Sequence, residues 1–409
     1  MIPLPNHVTT MRFGAFRPAT WAGSLCLLAA CGTASANGPD RVTIDTLANG
    51  VVQVTNPERG AWTESTAWRA VEDLRIGSAD GGGPDMLAMP MDVEEDGAGR
   101  IYVLDGQAME IRVFNAAGRH VRSFGRQGAG PGELRQPLGM TWGPKGELWV
   151  ADFANARYSV FDTTGTFRRS YLRHNNTLQM PWPGVVDQSG RLYDTRSSDQ
   201  DGQQVAVLLR YDPSVSRAEA FALPHRREQM FEVRDDRRRL SNAIPVPFAP
   251  RVEWALAPDG RVWSGGSERY RLEQRDADGR LLRIAERPYT PVKVERAELD
   301  SIPVRHQDFV QRGGKIDLAA VPKEKPAFVS IQVDDRGYLW VRPSAPLGQQ
   351  GTAFDVFEPT GVYLGRLQIP LEIPEFMPIF VHGAHVYSVT MTDEGVPQVV
   401  RFRLEGREA

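Results

Sequence analysis

The chain has 409 residues, 41% of them hydrophobic and 24% charged, with a formal net charge of −3. That balance supplies a large core, and without a basic excess it excludes a general nucleic-acid binder. The 39 Gly and 30 Pro favour many turns over long helices.

Residues 1–30 contain no Asp or Glu, and Arg12 and Arg17 precede a short apolar run, Trp21–Ala30. A positive start, a short apolar core and small residues before a cut site mark a secretory signal, too short to span a bilayer. Met11 gives that segment a more compact start than Met1 does. The sequence Leu28-Ala29-Ala30-Cys31-Gly32 resembles the bacterial lipobox. The resemblance implies that Cys31 is lipidated and becomes the mature N-terminus, and Gly32 after it resembles cargo of the outer membrane. Processing removes two of the 48 basic residues and none of the 51 acidic ones, leaving −5. It also removes Cys26 and blocks Cys31, so no disulfide and no thiol nucleophile is expected. The expected location is the bacterial envelope: exported, lipid-anchored, and on the outer membrane facing the periplasm or the surface.

Residues 31–41 are mostly small and polar and read as a tether. Val42–Val54 reads as a hairpin turning at Ala48-Asn49-Gly50. Trp62–Glu72 carries no clear period. Asp73–Gly77 matches Val121–Gly125 further on, so it reads as an outer strand without the strands that should precede it.

The stretch Gly81–Ser123 then repeats as Gly128–Ser170 at a constant shift of 47 residues with no gap. Pro84, Leu87, Gly99, Asp105 and Phe114 fall on Pro131, Leu134, Gly146, Asp152 and Phe161. A period in the forties marks a propeller blade or a helical repeat. Short runs alternating at period two, such as Ile101–Leu104 and Ile111–Phe114, decide for the blade. A turn Gly, one residue, then an apolar-aromatic pair recurs at Gly99, Gly146, Gly190, Gly260, Gly337 and, degenerate, Gly383. The last copy ends after its third strand, Gln398–Leu404, and the orphan strand Leu74–Ile76 is predicted to complete it. The expected fold is all-β: a six-bladed β-propeller of four-stranded antiparallel blades over 42–409, ring closed by an N-terminal outer strand. Anchor spacings of 70 and 77, against 44–47 elsewhere, place inserts at about 224–249 and 287–325. In the second, Val294–Ile302 and Val304–Gln311 are predicted as short helices split by Pro303. Such inserts are sites of function or caps on the ring, and both readings stay open.

The run Gly128-Ala129-Gly130-Pro131-Gly132-Glu133-Leu134 with Leu148–Asp162 resembles the NHL repeat. With the lipobox, residues 31–405 resemble bacterial six-bladed propeller lipoproteins of the TolB-like superfamily. The resemblance implies a fold and leaves the reaction open. It also implies a structural ion pair between Asp152 and Arg157. Relatives that are lactonases hold calcium in the central tunnel, and relatives that are amidating lyases hold zinc on histidines. The innermost strands expected here are Met91–Glu94, Gly139–Trp142, Gly184–Val186, Val252–Ala255, Ser330–Val333 and Ile379–Val381, which carry only Asp92, Glu94 and Glu253 as acids. None of His120, His174, His225, His306, His382 and His385 repeats with ligand spacing.

The candidate tunnel-lining residues are Asp92, Trp142 and Glu253. Trp142, Trp182, Trp254 and Trp263 also supply the bulk that wedge-shaped blades need. The Gly128–Gly132 loop reads as an inter-blade turn, because Gly81–Asp85 repeats it. Arg226–Arg239 mixes basic and acidic residues and reads as a solvated loop or an anion-binding rim. No nucleophile elbow, Cys-His pair or nucleotide fingerprint marks a catalytic residue. The reading is a binding scaffold without a cofactor, offering loops to an envelope protein, peptide or glycan, with the membrane as its partner through the lipid. The alternative is a metal-dependent hydrolase or lyase, with calcium in the tunnel held by Asp92 and Glu253.

Overall fold

The computed structural model describes residues 41–407 apart from 80–82, 176, 201–202, 235–239 and 376; the leader and Cys31 lie outside the described residues. Three strands precede the repeats: β1 (Thr43–Thr46), β2 (Val52–Thr55) and β3 (Arg69–Ile76). Blade one is built from Pro90–Glu95, Ile101–Asp105, Glu110–Phe114 and His120–Phe124, each antiparallel to the next. Blades two to five follow over 137–172, 185–222, 252–286 and 328–369, and blade six begins at Ile379. These are the six blades of the propeller among the described residues, with the first strand of each innermost.

Blade six supplies three strands of its own and takes its fourth from β3, as the orphan strand predicts. Ile76 lies opposite Val399, Leu74 opposite Arg401 and Ala70 opposite Leu404. The pairing gives the last strand a partner it would otherwise lack. The hairpin β1–β2 does a second job that its sequence does not show. β2 adds in parallel to the outer strand of blade four, with Thr55 opposite Glu286. Between β2 and β3, fully buried Asn56 donates to the Gly361 carbonyl at 3.0 Å and accepts from the Tyr363 N–H at 2.8 Å. Ala61 and Trp62 donate to the carbonyls of Tyr363 and Leu364. The N-terminal stretch is therefore a belt across the outer edges of blades four, five and six.

The blades wedge against each other through the anchor aromatics. Tyr102, Trp149, Tyr193, Trp263, Trp340 and Tyr387 are all buried. Three of them find a polar partner six residues back, in the turn between the first two strands. Tyr102 donates to Asp96 at 3.0 Å, Tyr193 to Asp187 at 3.2 Å and Trp340 to Asp334 at 3.0 Å. Each of these carboxylates also accepts backbone N–H groups of its own turn, at 2.9–3.0 Å. That local bonding is why Asp heads such turns. Blades two and four have Gly143 and Ala257 at this place, and the indole N–H groups of Trp149 and Trp263 have no hydrogen-bond partner among the described residues. Ala257→Asp should therefore stabilise the protein, by about 1 kcal/mol, by giving Trp263 the missing acceptor. A rise of about 2 °C in thermal midpoint is the expected reading; a fall would refute it. Gly143 does not offer the same repair, since a Cβ there would lie 2.6 Å from the Trp149 Nε1.

Two expectations need correction. Helix α1 (Arg296–Arg305) runs through Pro303, and the break from α2 (Gln307–Gln311) falls at His306. The proline sits in the last turn, where the helix ends within three residues and little of the ladder remains to be lost. Asp152 heads its turn by accepting from the backbone of Arg135 and Gln136 and from Asn155. Arg157 turns away from it and donates to the carbonyls of Ala129, Gly130 and Glu133. In blade one Glu110 holds the place of Arg157, and Arg112, two residues on, lies 3.4 Å from Asp105.

Candidate functional site

Both inserts join the outer strand of one blade to the innermost strand of the next, so they lie at the same end of the ring. There they fold together. The first contributes a hairpin, Met230–Arg234 with Leu240–Pro245, and the second contributes α1, α2 and a short turn at Leu318–Ala320. Phe231, Val246 and Ala249 from the first pack with Ile302, Phe309 and Val321 from the second. This satellite core makes a single cap from two segments that the sequence places more than forty residues apart.

Lys325 locks the cap. Its ammonium donates to Glu298 at 2.6 Å and to the Ala345 carbonyl of blade five at 2.7 Å, and it lies 5.5 Å from the ring centre of Phe248 in the first insert. Glu298 uses its other oxygen to accept the Glu295 N–H in a capping box at the start of α1. Both charged groups are buried, so each depends on the other for its solvation. Between the two inserts an open cleft of about 490 Å³ is lined by Arg227, Glu228, Met230, Phe231, Glu232 and Asp317 among others.

The tunnel acids sit in different settings. Asp92 is buried and accepts from the N–H of Val93 at 2.8 Å and from that of Met140, on the innermost strand of blade two, at 2.7 Å. It stitches one blade edge to the next. Gln332 does the same for Ile379, and His382 donates to the Val93 carbonyl at 3.0 Å. Glu253 pairs loosely with Arg251 at 3.5 Å, under the first insert, where the charge of Glu228 also reaches it. By strand register Asp92 and Glu253 hold equivalent places in blades one and four, three places apart in a ring of six. The two stand across the ring from each other. Trp142 packs edge-on against Tyr102 at 5.1 Å between blades one and two, and borders a cleft of about 390 Å³ with Glu95, Asp96 and Arg100.

Sequence reasoning names Glu94, His382 and His385 without bringing them together; the structure gathers them with Glu95 at the seam between blades six and one. Glu94 lies 3.6 Å from His382, while Glu95 accepts from His385 at 2.8 Å and from Tyr387 at 2.6 Å. Although burial opposes it, these two donors hold Glu95 below the usual carboxyl range. Burial raises Glu94, with the charges of Asp92 and Asp335 adding to it. Among the described residues no three His, Cys, Asp or Glu side chains converge as a metal site requires.

Burial pushes Asp92 up to about 7, against the two N–H donors that favour its carboxylate. Glu253 is likewise raised to about 7, chiefly by burial. The folded chain thus keeps protons that the unfolded chain releases near pH 4. This contribution to stability is complete below about pH 4 and is lost as pH rises through about 7. Asp92→Asn should flatten part of the fall in denaturation midpoint across that window. Equal slopes for the two proteins would refute the assignment.

No family model matches the chain, and no curated protein matches it. Solved structures do resemble it. A member of the DUF4221 family from Bacteroides vulgatus aligns at 12% identity and TM-score 0.45, covering 84% of this chain and 99% of that one. Virginiamycin B lyase from Staphylococcus aureus aligns at 10% and 0.42, covering 82% and 99%. The calcium-binding protein regucalcin from Agrobacterium tumefaciens aligns at 13% and 0.38, covering 79% and 92%. At such identities and scores these neighbours carry no argument about activity, and the six-bladed propeller stands on its own strand pairing.

Proposed function

We propose that the protein is an envelope-anchored binding scaffold, a TolB-like propeller lipoprotein that works through the capped end of its ring. One observation carries this reading: two separate inserts fold into a single cap with its own core, bolted to the ring by Lys325. A rigid disc bearing a shaped cap is what a recognition surface needs, because little ordering remains to oppose binding. The partner is an envelope component met at the cap. Lys325→Met should leave the propeller folded and loosen the cap, since Glu298 loses its counter-charge. Capture from envelope fractions should fall at least about tenfold in that variant, a loss of one well-made contact or more. Equal capture by both proteins, with the cap shown loosened by proteolysis, would sink the reading.

A second reading, a metal-dependent hydrolase or lyase, draws support from the buried carboxyl groups of Asp92 and Glu94, which no Arg or Lys among the described residues neutralises in a salt bridge. Elemental analysis separates the two. Stoichiometric calcium lost in Asp92→Ala or Glu253→Ala would favour the enzyme.

A further inference from the structure

We infer that Met86, Met89 and Met91 form a thioether site for a soft monovalent cation, Cu(I) or Ag(I), on the loop that enters blade one, independently of the binding-scaffold reading. The spacing of the methionines, the glycine that makes room for them and the fixed loop beneath them point to it.

Three of the chain's 11 methionines fall within the stretch Met86–Met91. The internal repeat supplies a control for that loop. At the shift of 47 residues Met86, Met89 and Met91 fall on Glu133, Gln136 and Leu138, so the blade needs sulfur at none of the three places. Nor does the usual role of methionine, filling gaps in a core, account for them. Met86 and Met89 each keep 45% of their surface exposed, while Leu87 between them is buried and anchors the loop.

Gly106 brings two of the thioethers together. A Cβ at that glycine would lie 1.9 Å from the Met91 sulfur and 3.0 Å from the Met89 methyl carbon, so both side chains use the space that the missing side chain leaves. The equivalent of Gly106 in blade two is Phe153, which would fill that space. Met89 and Met91 thus meet over one backbone position, and Met86 stands three residues before Met89 as the third donor.

The loop is fixed before any ligand arrives. Asp105 accepts from the N–H groups of Ala88 and Met89 at 2.8 and 3.1 Å, and the Gly106 N–H donates to the Met89 carbonyl at 2.9 Å. Arg112 donates to the Met86 carbonyl. Asp105 is fully buried, faces Arg112 and also accepts from Gln107 and Ala108, so its oxygens are spent on the backbone and not offered to a cation. The donors left over Gly106 are neutral and soft. Thioethers select Cu(I), and with it Ag(I), whereas calcium and magnesium take oxygen, and zinc takes thiolate, imidazole or carboxylate. Because the two cysteines are Cys26 and Cys31, methionine supplies all the sulfur beyond residue 31.

The test uses the full-length protein carrying Cys26→Ala and Cys31→Ala, so that no thiol competes, with methionine isotopically labelled at its methyl group. One equivalent of Ag(I) should move the methyl signals of Met86, Met89 and Met91 and leave that of Met391, 60% exposed in blade six, in place. Competition with a chromogenic Cu(I) chelator under reducing conditions should show one Cu(I) bound per chain. Met86→Leu combined with Met89→Leu should weaken it at least about tenfold, since losing a ligand costs no less than losing the support behind one. Both side chains are exposed and leucine is close to methionine in volume, so the thermal midpoint should hold. Gly106→Ala keeps every sulfur but fills the space between two of them, and should also weaken binding. Met391→Leu should change nothing, and neither Zn(II) nor Ca(II) should displace Ag(I). Equal affinity in the double variant, or no stoichiometric binding by the unreplaced methionines, overturns the inference. Binding that leaves the three methyl signals unmoved places the cation on histidine and overturns it too.

Discussion

Asp355→Ala should lower the unfolding free energy by about 3–5 kcal/mol, because it leaves a buried guanidinium without its counter-charge. Asp355 is fully buried in blade five and bonds Arg287 at 2.7 Å, Arg366 at 2.8 Å, and the hydroxyls of Tyr270 and Tyr363 at 2.7 and 3.1 Å. Arg287 is nearly as buried, lies 4.0 Å from the Tyr363 ring centre, and donates also to the Glu58 carbonyl. Arg287 opens the second insert and Glu58 belongs to the N-terminal belt, so this one carboxylate joins blades four and five, the cap and the belt. Arg366 is half exposed, and Arg366→Ala should cost no more than about 1 kcal/mol. Chemical denaturation of the two variants checks the contrast. Equal costs would show that burial does not decide the strength of this network.

Removing the belt should have a still larger effect. A chain beginning at Ser78 lacks β3, so the Val399–Glu405 edge of blade six loses its partner over seven residue pairs. It also loses Asn56, whose absence strands the Tyr363 N–H and the Gly361 carbonyl, each costing about 1–3 kcal/mol if left unpaired. The expected outcome is loss of the monomer: self-association through the open edge on size-exclusion chromatography and no cooperative unfolding transition. Adding a peptide of residues 69–77 in trans should restore part of the monomeric fraction. A truncated protein that stays monomeric and melts where the intact one does would mean that the ring does not need closing.

Much of the fold was legible because it is local and repeated. The turn Gly and the aromatic that follows set the strand order in every blade, and the lone strand at Leu74–Ile76 could only be an outer strand, since its neighbours were missing. One further signal was present and went unused. The spacing from Asp96 to Tyr102 recurs at Asp187 and Tyr193 and at Asp334 and Trp340. It tells why those acids serve turns and not a reaction. The belt was not legible, because β2 finds its partner in a strand more than two hundred residues away and no local period encodes that choice.

The candidate site divides the same way. By itself the sequence determined that six blades form and close, that the inserts fall between blades three and four and between four and five, and that Asp92 and Glu253 lie on innermost strands. Short-range periodicity is enough for all three, since side-chain alternation and turn chemistry act within a few residues. Only the tertiary structure decided that the two inserts share one core, that Lys325 and Glu298 bury their charges against each other, and that Asp92 spends its oxygens on the neighbouring blade. These depend on which groups lose water together when distant segments meet, and the energy of a buried charge or an apolar face is set by its neighbours in space.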